Sequence, residues 1–118
     1  MTSKELVLTA VAALEEKKGG NIQIIGIDDI SPIADYFVIC NGSTSTHIKA
    51  LVDVVDKQLS EAGEPPIRRE GLRSDIWVLM DFGSVIVHIF TDEARKFYDL
   101  ERLWSDAEAV TPSSLPSP

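Results

Sequence analysis

Leu6, Val7, Ala10, Val11 and Leu14 recur at the three- and four-residue spacing of a helix with one apolar stripe. Thr2 and Glu5 stand at capping-box spacing ahead of the stripe and Gly19-Gly20 end it, which predicts a first amphipathic helix. Asn21 to Ile27 alternates weakly, and Ala34 to Cys40 is a continuous apolar run bounded by Pro32 and Asn41-Gly42. Both read as strands. Past the hydroxyl cluster Ser43 to Thr46, apolar residues at Ile48, Leu51, Val52, Val55 and Leu59 return to helical spacing until Gly63 and Pro65-Pro66 stop them. This second helix suits a strand-helix-strand crossover, with Ile67 to Glu70 as a short strand before a hairpin.

The hairpin, Asp75 to Phe90, has two unlike faces. A turn at Phe82-Gly83 would set Trp77 opposite His88, Leu79 opposite Ile86, Asp75 opposite Phe90 and Asp81 opposite Ser84, because side chains alternate with period two. The other face carries Ile76, Val78, Met80, Val85, Val87 and Ile89, has no polar member, and is expected to pack against the helices. The first face mixes large aromatics, an imidazole and carboxylates. Aromatic residues with polar handles anchor protein interfaces, whereas the plainer alternative is a half-buried sheet face with a satisfied histidine.

Thr91 is placed to cap a last helix whose first turn carries Asp92 and Glu93, favourable at the positive end of the helix dipole. Phe97, Leu100, Leu103 and Trp104 would share one side of that helix as core, with Leu100 able to serve either surface. Tyr98 and Glu101 would turn partly away, Tyr98 as a half-exposed contact beside Trp77.

A chain of 118 residues is long enough for one domain with a real core. That domain is expected over residues 1–106, with 107–118 as a disordered tail, since Thr111 to Pro118 hold three prolines, three serines and no charge. Cys40 is the single cysteine, which excludes an internal disulfide and a multi-cysteine metal site and fits a reducing compartment. The N-terminus resembles neither a secretory signal nor a transit peptide, and no apolar run approaches the ~20 residues of a membrane span. A cytoplasmic location and no membrane contact are therefore expected. The net charge of −8 argues against direct contact with a nucleic-acid backbone and favours a basic protein partner.

The run Trp77-x-Leu79-x-Asp81-Phe82-Gly83-x-Val85-x-Val87-His88-x-Phe90, followed by Glu93-Ala94-Arg95 and Tyr98-Asp99-Leu100-Glu101-x-Leu103-Trp104, resembles the Iojap (RsfS) family of ribosomal silencing factors. Upstream, Asp29-Ile30-Ser31, Ala34-Asp35-Tyr36-Phe37-Val38-Ile39 and Ser43-Thr44-Ser45 are similar to the family in the same order, so the resemblance spans roughly Lys4 to Trp104. It implies a nucleotidyltransferase-like fold and a factor that binds the large ribosomal subunit through its protein fourteen and blocks joining with the small subunit. It also implies a homodimer when free.

Three sites of possible chemistry compete with this reading. Asp81-Phe82-Gly83 matches the metal-binding tripeptide of protein kinases, but a hairpin turn without glycine-rich loop, strand lysine or catalytic loop excludes a kinase. Asn41-Gly42-Ser43 before a helix resembles the glycine-serine turn of nucleotidyltransferases. The carboxylates that follow, Asp53 and Asp56, fall within the helical periodicity and form no metal dyad on alternating strand positions, which leaves a strand-to-helix turn with hydroxyl caps. Cys40, His47 and His88 supply neither an activated thiol nor the ligands of a zinc site. Neither catalytic residues, metal nor cofactor are expected.

The expectation is an α/β domain, a mixed sheet of about five strands with helices mainly on one face. The uncovered face would dock Trp77, Asp81, His88, Phe90, Tyr98, Leu100 and Glu101 against the basic ribosomal protein, with Asp92 and Glu93 adding charge. The rival readings are a small nucleotidyltransferase-like enzyme and a module for some unrelated basic protein.

Overall fold

A computed structural model describes residues 1–72, 76–103 and 108–110, the side chains of 103 and 108–110 excepted. Asp75, Trp104 and the tail from Thr111 lie outside the described residues, as does the side chain of Leu103. Helix α1 covers Ser3–Glu16, and both halves of its capping box form: the Glu5 amide donates to Thr2 Oγ1 and the Thr2 amide to Glu5 Oε1, each at 3.1 Å. Strand β1 (Gly20–Gly26) runs antiparallel to β2 (Tyr36–Gly42). Thr44 caps helix α2 (Ser45–Glu61) by accepting the His47 amide hydrogen at 3.0 Å.

The chain then forms β3 (Arg68–Glu70), β4 (Trp77–Asp81), β5 (Val85–Thr91), helices α3 (Asp92–Tyr98) and α4 (Leu100–Leu103), and a short β6 (Glu108–Val110). The sheet order is β3-β4-β5-β2-β1-β6, with β2 and β5 parallel and the other neighbours antiparallel. The five strands expected from the sequence are thus present. The sixth pairs Glu108–Val110 with Ile24–Gly26, in a stretch that the sequence places in the tail. The crossover from β2 through α2 lands three strands out, on the edge strand β3, and the chain then works back through β4 to β5, the parallel partner of β2.

Helices α1 and α2 cover one face, where Leu6, Val7, Leu14, Leu51, Val55 and Leu59 meet Val38, Cys40, Met80, Val87 and Ile89. The expectation that the other face lies bare needs correction. Asp99 adopts a left-handed backbone (φ 47°, ψ 58°) that ends α3 and turns the chain into α4, and Ala94 and Leu100 then pack on Phe37, Ile39, Ile86 and Phe90. β2 and β5 are therefore covered on both sides, which is why nearly every residue along them is buried.

The hairpin register also differs. Trp77 faces Phe90, Leu79 faces His88 and Asp81 faces Ile86, two residues from the expected pairing. The loop is Gly83-Ser84, closed by the Phe82 amide donating to Val85 O at 2.9 Å. Gly83 takes φ 87°, as the first position of a type II′ hairpin requires. A slip of two keeps every side chain on its face, so the division into two faces stands. Ile76, expected in the core, precedes β4 and is exposed.

Candidate functional site

Trp77 lies at the start of β4 on the α3 side of the sheet, and its indole is held from three directions. It stacks on Phe90 (centroids 4.9 Å apart, planes at 27°), meets Tyr98 at 4.7 Å, and donates from Nε1 to His88 Nδ1 at 3.2 Å. Phe37 closes the set edge-on to His88 at 4.7 Å. Phe97 stands edge-on to Tyr98 at 5.1 Å and is 81% exposed, against 40% for Tyr98. The aromatic ladder thus rises from a buried base to an open tip.

The seven residues expected to dock do not form one surface. Phe90, His88 and Leu100 are 0%, 3% and 8% exposed, so they lie beneath the surface that Trp77 and Tyr98 reach. Their burial follows from α3 and α4, whose Ala94 and Leu100 pack over this part of the sheet. Asp81 sits at the far end of β4, about 13 Å along the strand at ~3.3 Å per residue. There it accepts the Gly83 amide hydrogen at 2.8 Å and pairs with Arg68 at 3.2 Å, in the turn-closing role. Glu101 pairs with Arg95 at 3.4 Å, beside the carboxyl ends of β2 and β5. Trp77 and Tyr98 are the two that meet near the surface.

Phe97 is the residue that sequence periodicity misplaced. A continuous helix would have carried it into the core with Leu100, but the break at Asp99 separates the two and leaves Phe97 pointing outward. The positive φ required at Asp99 was the available signal, since Asp is among the residues that tolerate the left-handed region.

Burial sets the electrostatics. Desolvation lowers the His88 pKa to about 4, which keeps the imidazole neutral, and an Nδ1 that accepts from Trp77 places the proton on Nε2. That Nε2 is buried without a hydrogen-bond partner among the described residues. Desolvation also raises the Cys40 thiol to about 12, despite the opposing charge of Arg95, so the thiol is unreactive and serves as core.

The Gly42-Ser43 turn forms a clasp. The Ser43 amide donates to His47 Nδ1 at 2.9 Å, and His47 Nε2 donates to Lys17 O at 2.7 Å, tying α1 to the start of α2. A Cβ at Gly42 would stand 2.5 Å from Ile48 Cγ1, so glycine is required by close packing. Asp53 and Asp56 lie on α2, where Asp56 accepts from Arg69 at 2.7 Å and from Ser60 at 2.9 Å. Among the described residues no three His, Cys, Asp or Glu side chains converge as a metal ion would need. No described helix is long and apolar enough to cross a membrane.

The model of the family described as ribosomal silencing factor during starvation matches residues 1–118. The ribosomal silencing factor RsfS of Halalkalibacterium halodurans is 38% identical over 110 residues, covering 93% of this chain and 94% of that one. The mouse protein named mitochondrial assembly of ribosomal large subunit protein 1 is 33% identical over 98 residues, 80% of this chain and 43% of its own length. A crystal structure of a Chromobacterium violaceum protein superimposes with a TM-score of 0.87 at 33% identity, over 89% of this chain and 88% of that one. The chain belongs to the ribosomal silencing factor family.

Proposed function

We propose that the chain silences translation by docking its Trp77-Tyr98-Phe97 platform on the large ribosomal subunit, through the basic protein fourteen, so that the small subunit is sterically kept from joining. Family membership supports a ribosome-associated silencing role, and the name of the mouse relative points to the large subunit. The observation that carries the finer reading is the ladder itself: an exposed Phe97 and half-exposed Tyr98 braced on a partly buried Trp77. Aromatic side chains held rigid lose little entropy when a partner covers them, and such anchors dominate binding energy.

Glu93, one turn before Phe97, and the overall charge of −8 supply the complement to a basic partner. Asp81 extends that field at the hairpin tip, while His88, Phe90 and Leu100 hold the platform's shape. The protein acts as a binding factor without catalysis, in the cytoplasm, and pairs with a second copy when free of the ribosome. The same contact is compatible with a part in large-subunit biogenesis.

Co-sedimentation with purified large subunits, with a subunit-joining assay on the same samples, tests this. Wild type binds and blocks joining, and Trp77→Ala weakens binding by about 30-fold, the equivalent of ~2 kcal/mol for an anchor residue. Binding that survives both Trp77→Ala and Phe97→Ala moves the site elsewhere, and wild type that ignores large subunits refutes the reading.

A further inference from the structure

β2 and β5 run parallel side by side, and the helices that follow them leave to opposite faces: α2 joins the cluster of Val38 and Val87, α3 that of Phe37 and Phe90. Such a divergence opens a crevice beyond the carboxyl ends of the strands, the place where open α/β sheets take ligands. Two adjoining depressions occupy it. One, of about 480 Å³, is lined by Lys17, Lys18, Gly42, Ser43 and His47; the other, of about 450 Å³, by Asn21, Arg95, Lys96, Asp99 and Glu101. Asn41 and Asp92 line both and are joined by a 2.6 Å hydrogen bond.

Arg95 is the unusual member. It is only 4% exposed, yet its charge is incompletely engaged: Nη1 donates to Asn21 O (2.5 Å) and Asn41 Oδ1 (2.8 Å), Nε meets Glu101 Oε2 at 3.4 Å, and Nη2 has no partner among the described residues. Glu101 Oε1 is likewise buried and unpartnered. Burying a guanidinium N–H and a carboxylate oxygen without partners is costly, and both side chains line the second depression, so a ligand there that drew the two groups toward it would relieve that cost. The left-handed non-glycine residues Lys18 (φ 59°), Asn21 (φ 45°) and Asp99 (φ 47°) all line this crevice too. Lys17, Lys18, Arg95 and Lys96 bring four of the chain's eleven Lys and Arg to the crevice, against the three carboxylates of Asp92, Asp99 and Glu101.

We propose that this crevice binds a small hydroxylated phosphate ester of the sugar-phosphate kind, its phosphoryl oxygens on Arg95 and Lys96 and a hydroxyl donating to Glu101. A guanidinium with a neighbouring ammonium matches a phosphoryl group in charge and geometry, and a carboxylate oxygen lacking a donor matches a hydroxyl. The size suits a small molecule. A nucleic-acid backbone fits poorly, because Asp92, Asp99 and Glu101 stand among the cations and leave no unbroken run of positive charge for successive phosphates.

Isothermal titration of the full chain at low salt, with ribose 5-phosphate and with inorganic pyrophosphate, tests the assignment; circular dichroism checks that each variant is folded. Both probes bind wild type. Lys96→Gln, at an exposed position, weakens both at least fivefold, whereas Glu101→Gln weakens ribose 5-phosphate at least fivefold and leaves pyrophosphate as tight or tighter. A loosened Arg95 would weaken both probes in Glu101→Gln, so the split between them separates ligand contact from structural damage. No binding at millimolar probe, equal affinities in wild type and both variants, or loss of both probes in Glu101→Gln overturns the proposal. So does a short oligoribonucleotide that binds more tightly than ribose 5-phosphate and displaces it. Large-subunit binding by Lys96→Gln reports on the docking platform separately, so either reading can fail alone.

Discussion

His88 makes the stability of this domain depend on pH in a calculable way. Its imidazole is held neutral with a pKa of about 4, while the unfolded chain takes up a proton near the ordinary value of 6.5. The unfolded state therefore binds more protons at mildly acidic pH, and stability must fall as pH drops from 6.5 toward 4. The stabilisation is fully present above pH 6.5 and lost below pH 4. The full swing is about 3 kcal/mol at 1.36 kcal/mol per unit, and about 2 kcal/mol of it is gone by pH 5. His88→Gln removes the titration while keeping an oxygen that can accept the Trp77 indole hydrogen. Urea unfolding followed by tryptophan fluorescence at pH 7.5 and pH 5, at constant ionic strength, gives the comparison. Wild type loses about 2 kcal/mol more than His88→Gln over that interval, the carboxylates being common to both. Parallel losses would show that His88 titrates alike in the folded and unfolded states, and that its burial does not hold it neutral.

Phe97→Ser changes the urea midpoint by less than about 0.5 kcal/mol equivalent, as for an exposed site, yet weakens large-subunit binding at least tenfold; a large stability loss instead would mean the ring is packed. Gly42→Ala forces a Cβ against Ile48 and the start of α2, and thermal melting should register a loss of about 1–3 kcal/mol. Thr91→Ala removes the cap that accepts the Ala94 amide hydrogen at 3.1 Å, costing about 1 kcal/mol by chemical denaturation. Raising salt from 50 to 300 mM weakens large-subunit binding by wild type, and Glu93→Gln flattens that dependence; a salt-independent affinity would remove the electrostatic part of the docking proposal.

The sequence was most legible where the signals are local. Thr2, Thr44 and Thr91 cap the three longer helices, and the apolar stripes of α1 and α2 mark the residues that are buried. Period-two alternation divided the hairpin correctly even though its register was off by two, because a two-residue slip preserves parity. What escaped depends on long-range partners. Arg95 is buried by virtue of Asn21 and Asn41, 74 and 54 residues away, and nothing in Glu93-Ala94-Arg95 announces it. Period-two alternation puts His88 and Phe90 on the Trp77 face, but it carries no sign that the chain, turned by the left-handed dihedral at Asp99, covers them with Ala94 and Leu100. Glu101, expected beside Tyr98 on the open side of one continuous helix, instead faces Arg95.

The two margins of the sheet differ from its interior in what they offer to another backbone. β3 presents only Arg68, Arg69 and Glu70, all exposed and with Arg68 tied to Glu70 and Asp81, a short charged rim that resists extension by a further strand. At the opposite margin β6 occupies the hydrogen-bonding groups of Ile24 to Gly26. Shortening the chain before Glu108 would uncover that stretch of β1, with Ile24 and Ile25 in it, and turn a protected border into a template for ladder growth. The three residues of β6 thus take up hydrogen-bonding groups that β1 would otherwise offer to another backbone.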